Sequence, residues 1–358
     1  MNLPQQCQQI LPILRRADPL PLNVLWAKMQ PWLAQLHPTF TGTPEPTSLH
    51  IARWQACEQM LLTQCDSTDD CGLIRLALLL RLPFSLCRGV DFAARNYYAL
   101  RLPMLGLPLL QQQQLLGLIS FVHLGRHAWQ RHQRQIVQAA QIEVPLHWLA
   151  PLSAFDNAKP LSLRPKHAQS MTDISVKDTS AKDTATKTAS QLRDGFYISC
   201  GISGSGKSTW IENQYPQATR ISLDLIREEI HGDRRQQGEF ERVFALAQTR
   251  LQQALLNDDI VIWDATNLRI AHRQHLYQMA QQAKRATTLM LFQLPLHQIA
   301  QQNQTRIYAV PEQVWQRQVM QIQWPLYNEA PSTQIIGSTV HNARHQILWQ
   351  SEPVNEPK

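Results

Sequence analysis

Gly201-Ile-Ser-Gly-Ser-Gly-Lys-Ser208 follows directly on an apolar, β-prone run, Phe196-Tyr197-Ile198-Ser199-Cys200. The eight residues fit the pattern G-x-x-x-x-G-K-[ST], and the spacing has a physical reason. Gly201, Gly204 and Gly206 let the backbone take conformations that other residues resist, so successive N–H groups can turn inward on phosphate oxygens. Lys207 offers a cation to the outer phosphates, and the Ser208 hydroxyl is of the right type to ligate Mg²⁺. The helix that starts here presents its positive end to the anion. Ser203, Ser205 and Thr209 complete the expected nucleotide-binding set. The stretch predicts a strand, a phosphate-binding loop and a helix that hold ATP with Mg²⁺.

Beyond the loop, strands and helices alternate. Strand candidates are Phe196–Cys200, Thr219–Leu223, Ile260–Asp264, Thr287–Gln293 and Gln334–Gly337. Helix candidates are Lys207–Asn213, Leu225–His231, Phe240–Leu256, Ala271–Lys284, His297–Arg306 and Pro311–Gln321. This alternation predicts a parallel sheet with right-handed crossovers, its ligand crevice outside the carboxyl ends of the strands.

Upstream the pattern differs. Leu22, Leu25, Trp26, Met29 and Leu33 fall at helical spacing, as do Ile51, Trp54, Cys57, Met60 and Leu61. Leu73–Leu80 reads as a buried helix that Pro83 would end or kink. Pro103 and Gly106/Pro108 interrupt the helices, and the glutamine run Gln111–Gln114 reads as a solvated helix start. Between the two halves, Lys177–Ser190 is small, polar and nearly without apolar residues, which suits a flexible linker. The expected organisation is therefore an all-α domain over 1–155, a linker over 156–192, an α/β phosphate-loop NTPase domain over 193–345 and a tail over 346–358.

Composition sets looser bounds. The chain has 358 residues, 44% of them hydrophobic, enough for two ordinary cores. Its formal charge of +7 permits a polyanionic partner without requiring one. Residues 1–150 carry 12 Lys/Arg against 8 Asp/Glu, and residues 193–358 carry 16 against 15. Any nucleic-acid groove on the second half would thus be local. Five of the six cysteines, Cys7, Cys57, Cys65, Cys71 and Cys87, lie in the first half without a CxxC pair, giving no support to zinc. Reduced thiols, no signal-peptide order at the N-terminus and no membrane-length apolar run predict a cytoplasmic protein with no membrane association. His123 and His127 stand at i, i+4 with His132 nearby. Flanked by Arg126 and Arg131 and with no acidic companion, they read as a solvated or phosphate-facing basic helix rather than a metal site.

Three charged positions follow strand ends. Asp224 lies just past the second strand, with Arg227 three residues on. The carboxylate can accept a hydroxyl proton while the arginine holds an acceptor phosphate; a helix-cap aspartate with a helical arginine is the lesser alternative. Asp264, ending the third strand, stands where a Walker-B acid would hold Mg²⁺ or its water shell. Thr266 and Asn267 behind it offer polar contacts to an acceptor, or a turn and cap for the next helix. Arg306, in Asn303-Gln-Thr-Arg306 ahead of Val310-Pro311, can close over the triphosphate and stabilise charge on a transferred phosphoryl group.

Taken together, these pieces resemble the P-loop polynucleotide kinase family, over roughly residues 195–325. The resemblance rests on GxxGSGKST, the D-x-x-R of Asp224/Arg227, the D-x-T-N of Asp264–Asn267 and the N-x-x-R ahead of Val-Pro. It implies that Lys207 and Ser208 hold ATP·Mg²⁺, that Asp224 is the general base on a nucleic-acid 5′-hydroxyl, that Arg227 grips the acceptor's 3′-phosphate and that Arg306 clamps the donor. There is one departure: lids of this family often carry a second arginine one turn earlier, where this chain has Gln302. Kinases of small alcohols or nucleotide sugars share the same core, and a weakly hydrolytic ATP-binding regulatory or RNA-tethering protein is a third reading. Neither an N-K-x-D guanine motif nor an L-S-G-G-Q signature is present. The first half is similar in position to the HD-type phosphohydrolase of two-domain end-healing proteins. Arg81-Leu82 would occupy the histidine–aspartate place, which implies a scaffold or RNA-binding remnant.

Overall fold

The computed structural model describes residues 3–36, 45–64, 67–86, 94–121, 195–234, 239–325, 329–339 and 342–350. The linker over 156–192, the histidines at 123, 127 and 132, and Cys65 and Cys87 lie outside the described residues.

The first half is helical: α1 (Leu3–Leu14), α2 (Leu22–Leu36), α3 (Ser48–Gln64), α4 (Thr68–Leu86), α5 (Ala94–Ala99), a 3₁₀ turn (Leu102–Leu105) and α6 (Leu109–Phe121). Trp26, Trp32 and Trp54 are fully buried among its leucines. A buried ion pair pins the α1–α2 connection to α3 and α4. Arg75 donates to both Glu58 oxygens at 2.7 and 2.6 Å and to the carbonyls of Leu14, Arg16 and Asp18, while Leu20 N–H donates to Glu58. Such a pair tolerates burial because its lone pairs and protons are matched. Helix α4 runs three residues past Pro83, since a proline this close to the carboxyl end disrupts only the last turn. Two sequence expectations change here. Gln113 is buried within α6, so the glutamine run is not a solvated helix start, and Leu109 rather than Gln111 opens the helix. Arg81 and Leu82 are buried in α4. No described helix is long and apolar enough to cross a membrane.

The second half is an α/β unit. Its elements are β1 (Gly195–Cys200), α7 (Lys207–Gln214), β2 (Thr219–Ser222), α8 (Leu223–His231), α9 (Phe240–Asn257), β3 (Ile260–Asp264), α10 (Ile270–Gln282), β4 (Thr287–Phe292), α11 (Leu296–Thr305), α12 (Glu312–Gln321), β5 (Ser332–Thr339) and β6 (Asn342–Gln350). The sheet order is β2-β3-β1-β4-β5-β6. The first five strands are parallel, as expected, whereas β6 returns antiparallel to β5 and continues past the expected domain end at 345. β1 is buried at every position, as a central strand covered by helices on both faces must be. On α9, Val243, Ala247, Leu251, Ala254 and Leu255 form the stripe that packs on the sheet. Because β3 and β4 flank β1 on opposite sides, the connections diverge at its carboxyl end and open a crevice there.

The halves touch. The Trp324 N–H donates to Asn96 Oδ1 at 2.7 Å, and Gln293 Nε2 donates to the Ala99 carbonyl at 3.4 Å. Helices α11 and α12 contact the 3₁₀ turn and α5 respectively, and one apolar core is continuous across both halves.

Candidate nucleotide-binding site

The loop that links β1 to α7 lies in this crevice. Gly204 and Gly206 hold φ of 88° and 79°, a left-handed geometry that costs an L residue about 1–2 kcal/mol. Gly201 serves differently: a Cβ there would meet Ser205 Oγ at 2.8 Å and Phe292 Cβ at 3.1 Å. Gly206 is the N-cap of α7 and brings no side chain to satisfy the first-turn N–H groups, which leaves that end suited to an anion.

Lys207 is buried. Its ammonium donates back into its own loop, to the carbonyls of Gly201 and Ile202 at 2.9 Å each and to Ser205 Oγ at 3.3 Å. Burial lowers its pKa to about 8, opposed by the negative charges of Asp264 and Asp224 and assisted by the positive charge of Arg306. The charges of Asp264, Asp224 and Arg306 thus all bear on Lys207. Ser208 and Thr209 are exposed on the first turn of α7.

Asp264 is buried at the carboxyl end of β3. Its Oδ2 accepts from Ser208 Oγ at 3.1 Å, and also from Nε and Nη2 of Arg220 at 2.9 and 2.5 Å. A hydroxyl and a carboxylate are hard oxygen donors of the kind Mg²⁺ takes, so the pair fits that ion, with Arg220 as a rival for the same carboxylate oxygen.

Asp224 sits exposed in the first turn of α8, whose N-cap is Ser222, and it is ion-paired with the largely buried Arg227 side chain. Thr266 is partly buried and accepts the Gly201 N–H through its carbonyl at 3.0 Å. Asn267 is buried at φ 47° and commits its amide to the Ser199 carbonyl at 2.6 Å, tying β3's exit loop to β1. The N-cap position of α10 is Arg269, without a side-chain cap, and not Asn267. Arg306 is exposed at the carboxyl end of α11, beside the 91%-exposed Ile307. Asn303 of the same motif does not face the crevice freely. Its side chain brackets Val310 through both backbone groups, at 2.9 and 3.1 Å, and so shapes the loop that carries Arg306.

Several contacts on the loop come from residues that the sequence did not bring forward. Ser203 is held through both backbone groups by α12: its N–H donates to Gln318 Oε1 at 2.8 Å, and its carbonyl accepts from Trp315 Nε1 at 3.1 Å. Gly204 lies against α11, where a Cβ would meet the Ile299 carbonyl at 2.7 Å. From β6, His345 Nε2 donates to the Ser205 carbonyl at 3.0 Å and the ring covers Gly206. Burial lowers the His345 pKa, and the bond to Ser205 opposes that shift. A deeper bracket runs through Arg273, which pairs with Glu329 at 2.5 and 2.9 Å and donates to the carbonyls of Asn267 and Gln323. Gln318 and Trp315 share a helix face at i, i+3, which is readable, but their partner Ser203, 115 and 112 residues away, is not. Arg220 left a fainter signal, a lone cation on the strand beside the acid-bearing one.

A central parallel sheet, a glycine-bent loop at its switch point and a buried lysine with a serine–aspartate pair make the second half a P-loop NTPase-like domain. Residues 197–325 match the model of a family described as an AAA domain, AAA_33. Among solved structures, the chain is similar to Kti12 of Chaetomium thermophilum in complex with ADP-AlF3. The identity is 17%, the match covers 40% of this chain and 88% of that one, and the TM-score is 0.33, too slight a likeness to bear on function. No curated protein matches the chain.

Proposed function

We propose that this protein is an ATP-dependent phosphotransferase acting on a hydroxyl, and that the acceptor is the 5′-hydroxyl end of a nucleic acid. The observation that carries the reading is the Ser208 hydroxyl bonded to Asp264 at 3.1 Å beside buried Lys207, whose ammonium is turned into the phosphate loop. A triphosphate in the loop would draw the Lys207 ammonium from the carbonyls of Gly201 and Ile202 onto its outer oxygens. Gly201, Ser203, Gly204, Ser205, Gly206, Ser208 and Thr209 would frame those phosphates. Mg²⁺, held by Ser208 and Asp264, would neutralise phosphate charge when bound.

In this scheme the Asp224 carboxylate accepts the acceptor's hydroxyl proton. The oxygen attacks the γ-phosphorus in line, the bond to the β-phosphate oxygen breaks, and ADP leaves. Arg227, released from Asp224, would hold a phosphate of the acceptor strand, with Thr266 lining the same mouth. Asn267 would act by fixing the loop rather than by touching the acceptor. Arg306, on an exposed loop shaped by Asn303, would swing onto the transferred group.

The test is transfer of label from γ-labelled ATP to DNA and RNA oligonucleotides with 5′-hydroxyl ends, and to small alcohols. The Asp224→Ala protein should lose roughly 100-fold or more of the transfer rate, the usual worth of a general base. Equal transfer by both proteins would refute the assigned base. Label appearing only on small alcohols would replace the nucleic-acid acceptor.

A second reading, a regulatory nucleotide-binding protein with slow hydrolysis, is favoured by two observations. Asp264 is already paired with Arg220, and Gln302 stands where related lids carry an arginine. Nucleotide binding with no acceptor labelled would select it.

A further inference from the structure

Arg220 is ion-paired with Asp264, the acid expected to face the metal, yet the proposed transfer gives the arginine itself no role. It projects from β2, whose register sets Ser222 beside Asp264 and Arg220 beside Ile262 on β3. From there Nε and Nη2 both reach Asp264 Oδ2, at 2.9 and 2.5 Å, while Nη1 reaches Glu212 Oε1 of α7 at 2.6 Å. With Ser208 Oγ at 3.1 Å, three donors converge on one carboxylate oxygen. An oxygen of that kind has two lone pairs to offer, so a metal seeking it must displace a donor. The two anchors of Arg220 differ in exposure: the Asp264 side chain is 4% exposed and that of Glu212 is 62% exposed. The guanidinium thus has a buried perch on Asp264 and a solvent-side perch on Glu212, and it keeps its charge at any ordinary pH.

We propose that Arg220 is a resident counter-cation for Asp264 that sets how far nucleotide binding depends on divalent metal. Held on Asp264, it cancels a buried negative charge near the phosphates, so nucleotide can bind without metal. When Mg²⁺ arrives with nucleotide, Arg220 yields the carboxylate and stays paired with Glu212. Arg220 is a positioning residue in this scheme, not a catalytic one. The inference rests on the nucleotide-binding reading of the site.

The experiment is calorimetric titration of the full chain with ADP and with ATP, in Mg²⁺ and in EDTA, for wild type and Arg220→Gln. Wild type should bind in EDTA within about tenfold of its affinity in Mg²⁺. Arg220→Gln should lose affinity in EDTA while holding it in Mg²⁺, widening the EDTA-to-Mg²⁺ ratio of dissociation constants by about tenfold or more. That is the scale of one charge-assisted hydrogen-bonded pair. Arg220→Lys, which keeps the charge but not the two-point grip, should fall between. Glu212→Gln alters an exposed residue and leaves the fold intact. By removing the outer perch it should hold Arg220 on Asp264 and narrow the ratio. Equal weakening in both buffers marks Arg220 as structural only and overturns the proposal, as does a ratio that neither variant moves. Wild-type protein binding neither nucleotide in either buffer overturns the nucleotide-binding reading itself.

Discussion

Replacing Gly206 with alanine separates two costs that meet at one atom. The new methyl would stand at φ 79°, where an L residue is disfavoured by about 1–2 kcal/mol. It would also lie 2.5 Å from Cε1 and 2.6 Å from Nε2 of His345, so the ring must leave and its bond to Ser205 be lost, at about 1 kcal/mol. The sum is a destabilisation of about 2–3 kcal/mol, read by urea unfolding. The second cost can be removed independently. His345→Ala alone should cost about 1 kcal/mol. In the double variant the methyl no longer meets the ring, so the total should fall short of the sum of the singles by roughly 1 kcal/mol. Additive single and double values would refute the contact between β6 and the loop. A Gly206→Ala protein as stable as wild type would refute both parts of the reasoning.

Lys207 supplies a prediction in pH. Its pKa is lowered to about 8 by burial, so between that pH and its ordinary 10.5 the folded protein binds fewer protons than the unfolded chain. Stability of the nucleotide-free protein should therefore rise with pH across that window. Nucleotide affinity should run the other way, falling as pH climbs through about 8, because the phosphates need the charged ammonium. Lys207→Met should bind weakly and without this slope, and a flat wild-type titration from about pH 7 to 9 would sink the assignment. Glu329→Gln, which leaves the buried Arg273 guanidinium without its carboxylate, should destabilise by about 3–5 kcal/mol in urea unfolding. A loss under 1 kcal/mol would show the pair to be dispensable.

Local chemistry made much of this molecule legible from its residues. The strand–loop–helix of 195–214 and the alternation behind it follow from apolar runs, glycines and caps, all local signals. The position of Asp264 at the crevice was legible because strand ends in a parallel sheet face it. What escaped was long-range. Gln318 and Trp315 belong to an ordinary amphipathic helix until the fold sets them on Ser203. His345 stands on β6, whose antiparallel return had no turn signal strong enough to announce it. Asn267 was expected to meet an acceptor or cap a helix, but a positive φ and a buried amide turn it onto Ser199, and neither is visible in its neighbours along the chain. The glutamine run at 111–114 was assigned to solvent by composition, yet Gln113 is buried because α6 packs into a core formed by distant helices.

The hydrogen bonds from Trp324 to Asn96 and from Gln293 to Ala99 bear on how this chain can be cut or recombined. An excision beginning at Gly195 would leave the Trp324 amide and the Gln293 side chain without these acceptors. It would also bare the face of α12 that rests on α5, on the very helix whose Trp315 and Gln318 steady the phosphate loop. A transplant of the loop-bearing half into another polypeptide should therefore carry residues 94–105 along. A graft made without them would inherit the phosphate motif but not the buttress that keeps it in shape.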